Sequence, residues 1–153
     1  MRISEFLSSE AVIAELSSSS KHGVLVELCG PLATAQAGLK PERLVDVLEQ
    51  REKLGSTGIG EGVAIPHGKM GELSRLIASF GVSHTGVNFD AIDGKQTHLF
   101  FALLAPENSA GIHLKALARI SRLFKNPQFR ESIMAATNAA EIYSLITAED
   151  ARI

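Results

Sequence analysis

Leu99-Phe-Phe-Ala-Leu-Leu-Ala105 is an unbroken apolar run that Pro106 closes. It lacks the polar positions of an amphipathic helix and the alternation of a strand with one wet face. Together with His98 it is too short to cross a bilayer. It reads as a strand buried on both faces, and such a strand needs a layer of cover on each side. Leu76–Ser83 supplies a second strand, and the apolar run Val63-Ala-Ile65 a short one that Pro66 closes. Ala11–Leu16 is a candidate for another.

The cover comes from helical segments interleaved with these strands. Pro41–Leu54 starts with a proline suited to the first helical position and stops at Gly55. Its expected buried stripe is Leu44, Val47, Leu48 and Leu54. Residues 20–37 place Val24, Leu25, Leu28, Leu32 and Ala35 on one helical face, with Gly30-Pro31 expected to bend or break it. The serines of Ser17–Ser20 suit a cap for that helix. His113–Phe124 is amphipathic, with Leu114, Leu117, Ile120 and Phe124 expected inward, and further helices are expected near 127–136 and 139–147. The class is α/β: a three-layer α/β/α sandwich with a mixed β-sheet. The 153 residues are expected to form one domain, 1–153.

Composition removes several function classes. The net charge is −2, and no basic tract or aromatic platform suggests nucleic acid. The N-terminus has no long apolar stretch of a signal peptide, so a cytoplasmic protein without membrane insertion is expected. The single cysteine, Cys29, excludes an internal disulfide and reads as a buried thiol.

The chemistry is concentrated in Gly55–Lys69, where five of the thirteen glycines precede or flank His67. A dinucleotide loop needs G-x-G-x-x-G between strand and helix, whereas Gly58, Gly60 and Gly62 give G-x-G-x-G between helix and strand. Gly68-Lys69-Met70 and Gly94-Lys95-Gln96 both fail the last position of a Walker A loop. No two histidines pair at i, i+4, and no G-x-S-x-G elbow is present, so neither a zinc site nor a serine hydrolase has local support. A nucleophilic or acceptor His67 remains, with Pro66 and Gly68 beside it, and so does the plainer reading of a solvated turn histidine. On residue type alone, Arg51 is a helix-end cation, His113 a helix N-terminal surface residue, and Lys69 either solvated or a steering charge. His22, His84 and His98 receive no role.

The stretch Arg51-Glu-Lys-Leu-Gly-Ser-Thr-Gly-Ile-Gly-Glu-Gly-Val-Ala-Ile-Pro-His-Gly-Lys69 resembles the signature of mannitol/fructose-type enzyme IIA domains. These belong to the bacterial phosphoenolpyruvate-dependent phosphotransferase system, and the likeness is strongest to the stand-alone, nitrogen-regulatory branch. It continues through Phe89–Gly94, Leu99–Pro106, His113-Leu114 and Leu117-Ala118, and spans roughly residues 1–148. Gly30-Pro31 is its least typical part.

The resemblance implies a phosphotransferase with His67 as phosphoryl acceptor, His113 bordering the site and Arg51 holding the phosphoryl group. Gly55, Ser56, Thr57 and Gly58 then occupy the phosphate-binding loop. The donor is a histidine-containing phosphocarrier protein, with no cofactor and no metal. In the regulatory branch the targets are proteins such as potassium transporters or sensor kinases. In the sugar branch the phosphoryl group passes to a IIB component. The absence of IIB or IIC sequence within the chain leans toward regulation. A binding module that has lost phosphotransfer and a metal-dependent hydrolase are the remaining alternatives.

Overall fold

In the computed structural model, which describes residues 1–153, the apolar run forms β6 (Thr97–Pro106) inside a six-stranded mixed sheet. β5 (Ile77–Val87) lies antiparallel along one side of β6 and is parallel to β1 (Val12–Ile13) on its own far side. The other side of β6 is shared. β3 (Val63–Ala64) pairs in parallel with Leu99 and Phe100, and β4 (His67–Met70) pairs in parallel with Leu103 to Pro106. β2 (Gly58–Gly60) extends the sheet antiparallel to β3.

Burial of β6 on both faces is what layers the protein. Leu99, Phe101, Leu103 and Ala105 join one core with α3 (Ala110–Leu123), α4 (Pro127–Ala135) and α5 (Ala139–Arg152). Phe100, Ala102 and Leu104 join a second core with α1 (Lys21–Ala33) and α2 (Pro41–Glu52). This is the expected three-layer sandwich. Phe80, Phe101 and Phe124 meet in the first core, Phe80 stacking on Phe124 at 5.7 Å between ring centres. Each fully buried phenylalanine contributes roughly 1.5–3 kcal/mol of transfer free energy. The chain ends are tied together: Asp150 of α5 accepts the backbone N–H of Ile3 at 2.8 Å and pairs with the Arg119 guanidinium of α3.

Several expectations need correction. Ala11–Leu16 forms only the two-residue β1, after a 3₁₀ turn at Ser9–Ala11. α1 runs through Gly30-Pro31 and ends at Ala33, so Pro31, which has no N–H for the carbonyl four residues back, sits inside the helix two residues before its end. Ser20 caps it, accepting the Gly23 N–H at 3.0 Å. Leu54 lies past the end of α2 and is 84% exposed, and Val47 is half-buried, leaving Leu44 and Leu48 as the buried stripe. In α3, Ile120 and Phe124 are buried and Leu117 packs against the core as expected, but Leu114 is 67% exposed, and His113, Ala116 and Leu123 face inward instead. Pro66 does not end the strand region. It supplies no N–H to the ladder, so pairing along β6 is interrupted there and resumes at His67. No helix is long and apolar enough to cross a membrane.

Candidate active site around His67

His67 opens β4, a strand whose only partner is β6. Gly68 faces α2: a Cβ there would stand 2.6 Å from Val47 Cγ1. Side chains alternate along a strand, so His67 and Lys69 point to the opposite face, toward α3. There the His67 ring meets His113 at 5.6 Å between centres, edge to face. A cavity of about 500 Å³ lies over this corner, lined by His67, Lys69 and His113 together with Arg51 and Leu54.

The backbone fixes the tautomer of His67. Its Nδ1 lies 2.7 Å from the carbonyl oxygen of Ile65. A carbonyl only accepts, so Nδ1–H donates and Nε2 keeps its lone pair. Burial lowers the basicity of the ring, and the Arg51 charge adds to that, while the Ile65 bond and Glu52 act in the opposite sense. His113 is 95% withdrawn from solvent, with 5% exposure, and burial holds it down to about 4, helped by His67 and Lys69. Its Nε2 is buried with no hydrogen-bond partner in the protein. Such an atom is costly to leave unpaired and is suited to an incoming acceptor.

Arg51 projects from the last turn of α2 and donates from Nη1 to the Gly55 carbonyl at 2.8 Å. The structure thus brings Arg51, His67 and His113 together from three separate elements. Gly55, Ser56, Thr57 and Gly58 do not line the cavity. Ser56 Oγ donates to the Phe89 carbonyl at 2.6 Å and accepts the Gly58 N–H at 3.0 Å. Thr57 is buried and donates both its N–H and its hydroxyl to the Glu52 carboxylate. These four residues brace the turn that carries Arg51.

The remaining cavity residues of α2 escaped the sequence reading: Arg43, Asp46 and Gln50. With Val47, Arg51 and Leu54 they repeat at helical spacing, a polar stripe turned away from Leu44 and Leu48. That periodicity was the signal available. No group of three histidine, cysteine or acidic side chains converges as a metal site.

Residues 5–149 match the family described as phosphoenolpyruvate-dependent sugar phosphotransferase system, EIIA 2. The chain belongs to that family. This IIA domain is 39% identical over 146 residues to a nitrogen regulatory protein of Bradyrhizobium diazoefficiens, covering 95% of each chain. It is 35% identical over 148 residues to the nitrogen regulatory protein of Escherichia coli, covering 96% of this chain and 90% of that one. Among solved structures, the nitrogen regulatory protein IIA-Ntr of Neisseria meningitidis superimposes with a TM-score of 0.89 at 36% identity, over 95% of this chain and 99% of that one. The mannitol IIA of Escherichia coli, at 20% identity and a TM-score of 0.77, shares the fold; the alignment covers 91% of this chain and 97% of that one. The protein is thus a IIA-type component of the phosphotransferase system, similar to its nitrogen regulatory members.

Proposed function

We propose that this IIA domain accepts a phosphoryl group on Nε2 of His67 from a histidine-phosphorylated small carrier protein, and acts as a phosphorylation-dependent regulator. The observation that carries the proposal is the Nδ1–H bond from His67 to Ile65, which leaves Nε2 as the nucleophile beside Arg51 and His113.

In the proposed step the Nε2 lone pair forms the new N–P bond while the donor's P–N bond breaks and its electron pair returns to the donor ring. No proton moves. The donor ring becomes neutral, and the His67 ring, still holding Nδ1–H, becomes cationic. The transferring phosphoryl group spreads negative charge over its oxygens and needs fixed donors. Arg51 offers a planar fork, and a neutral His113 with hydrogen on Nε2 donates one bond. Gly55, Ser56, Thr57 and Gly58 serve in this reading by holding Arg51 in place. The reading needs no cofactor and places the protein in the cytoplasm beside its donor.

Regulation follows from charge. The phosphoryl oxygens carry about −1.5 to −2 at one surface site, by analogy with phosphate esters, partly offset by the cationic ring. That is enough to recruit or repel a target, with potassium transporters and sensor kinases as the classes to test. A second reading, a fructose-type IIA that passes the group to a IIB component, draws support from fructose-specific relatives. The chain is 32% identical over 150 residues to the fructose-specific EIIABC component of Bacillus subtilis, covering 98% of this chain and 24% of that protein.

Incubation with phosphoenolpyruvate, enzyme I and the small carrier, followed by intact mass, tests the proposal. One phosphoryl adduct is expected, absent in His67→Ala. No adduct on the wild type would overturn the reading, and an adduct retained in His67→Ala would overturn the site. Onward transfer to a fructose IIB would favour uptake over regulation.

A further inference from the structure

The acceptor nitrogen of His67 depends on its other nitrogen being held, and the hold continues beyond Ile65. Ile65 donates its own N–H to the Thr57 carbonyl at 3.0 Å. Thr57 in turn gives its N–H to the Glu52 carboxylate at 3.1 Å, and its hydroxyl to the other oxygen of that carboxylate. The Glu52 side chain is 6% exposed, and Lys21 of α1 approaches it at 3.0 Å. Lys21 is itself seated over the Phe89 ring, 4.8 Å from its centre. An unbroken brace therefore runs from a buried carboxylate, through two residues of backbone, to Nδ1 of His67.

We propose that Glu52 is a positioning residue for phosphoryl transfer at His67, acting through Thr57 and Ile65. The inference rests on the reading of His67 as acceptor. Two effects combine. The brace fixes the ring, because a histidine whose second nitrogen is held presents the first in one direction. The carboxylate also supplies a buried negative charge near a ring that becomes cationic when the N–P bond forms. Glu52 touches neither the reacting nitrogen nor the phosphoryl group, so its part is orientation and field.

The charged and titratable groups around His67 are few. Arg43, Asp46, Arg51 and Glu52 come from α2, Lys69 from β4 and His113 from α3. Arg43 is engaged by Glu72 at 2.8 Å. The Glu52 charge raises the basicity of the His67 ring.

The test compares wild type with Glu52→Gln, which keeps the side-chain shape and removes the charge. The readouts are the rate of phosphorylation by the phosphorylated small carrier and the titration midpoint of the His67 ring by NMR. Glu52→Gln is expected to slow phosphorylation by roughly 10-fold and to lower the midpoint. Glu49→Gln, a carboxylate on the same helix that pairs with His22 instead, is expected to change neither. Lys21→Met leaves the Glu52 charge uncompensated and is expected to raise the midpoint, so it carries the test if Glu52→Gln does not fold. Wild-type rate and midpoint in Glu52→Gln would overturn the inference, as would an unmoved midpoint in Lys21→Met. Failure of the wild type to take a phosphoryl group would overturn the reading of His67 instead, and the midpoints would still report whether Glu52 acts on the ring.

Discussion

His67 and His113 stand ring to ring at 5.6 Å, inclined at 68°, so a charge on either opposes a charge on the other. Burial is the larger cause of the low basicity of both. Phosphoryl acceptance is therefore expected to stay level through neutrality and to fall only in acid, where protonation removes the Nε2 lone pair. Stability carries the same signature. His113 titrates at about 4 in the fold against about 6.5 in the unfolded chain. The unfolded state thus binds more protons in that window, and stability present above it is lost as pH falls through it. His84 has the opposite sign: Glu15 first, then the Met134 carbonyl, raise its basicity. Its contribution is full below the unfolded value and is lost as pH rises through the folded one. Urea denaturation across pH should show a shallower acid loss in His113→Phe than in wild type.

Arg51 is fixed by its bond to the Gly55 carbonyl at 2.8 Å, and a lysine cannot reproduce both that bond and a fork toward phosphoryl oxygens. Arg51→Lys is expected to slow phosphorylation by roughly 100-fold, the scale for losing one fixed donor to developing charge. The melting temperature should stay near that of wild type, because Arg51 is only half-buried. Stopped-flow or quenched phosphorylation beside a thermal melt checks both.

Gly68 is a packing requirement. A methyl group there meets Val47 Cγ1 at 2.6 Å, and α2 must move away from β4 to admit it. Gly68→Ala is expected to cost about 1–3 kcal/mol, and the double variant with Val47→Ala should recover part of that. Chemical denaturation of the four-member cycle measures the coupling.

Asp150 joins the chain ends, accepting from Ile3 N–H while pairing with Arg119. Its side chain is 3% exposed, so Asp150→Ala strands a buried N–H and a partly buried guanidinium together. The expected loss is about 3–5 kcal/mol, read from the urea midpoint, with the slope unchanged.

Leu54 and Leu114 give the opposite outcome. At 84% and 67% exposure they contribute little to either core. Leu54→Ser and Leu114→Ser are each expected to shift stability by no more than about 0.5 kcal/mol. A larger loss by thermal melt would contradict the helix registers described above.

These last residues show where sequence reading stops. The helix of Pro41–Glu52 was legible from its proline and apolar spacing, but Leu54 lies beyond its end and outside its buried face. In α3 a leucine and a histidine compete for one inward position. Apolarity favoured Leu114, yet the helix begins three residues earlier than expected, and His113 is the residue that turns inward. β4 was not legible at all, since Pro66 and Gly68 carry turn chemistry locally and only pairing with β6 makes His67–Met70 extended.

By itself the sequence determined the layering, because an apolar run from Leu99 to Ala105 must be covered on both faces and the helical segments are there to cover it. It also marked Arg51, His67 and His113 as candidates through the motifs that surround them. Tertiary structure alone decided where the polar groups of the glycine stretch point. Its hydroxyls and N–H groups turn inward to Glu52 and Phe89 and brace the loop. It decided as well which nitrogen of His67 is free, since that follows from where the Ile65 carbonyl points. The physical reason is the same in both cases. Hydrogen bonds between residues distant in sequence, or across a proline, are set by the packed arrangement of α2, β3 and β4, and no local preference encodes their direction.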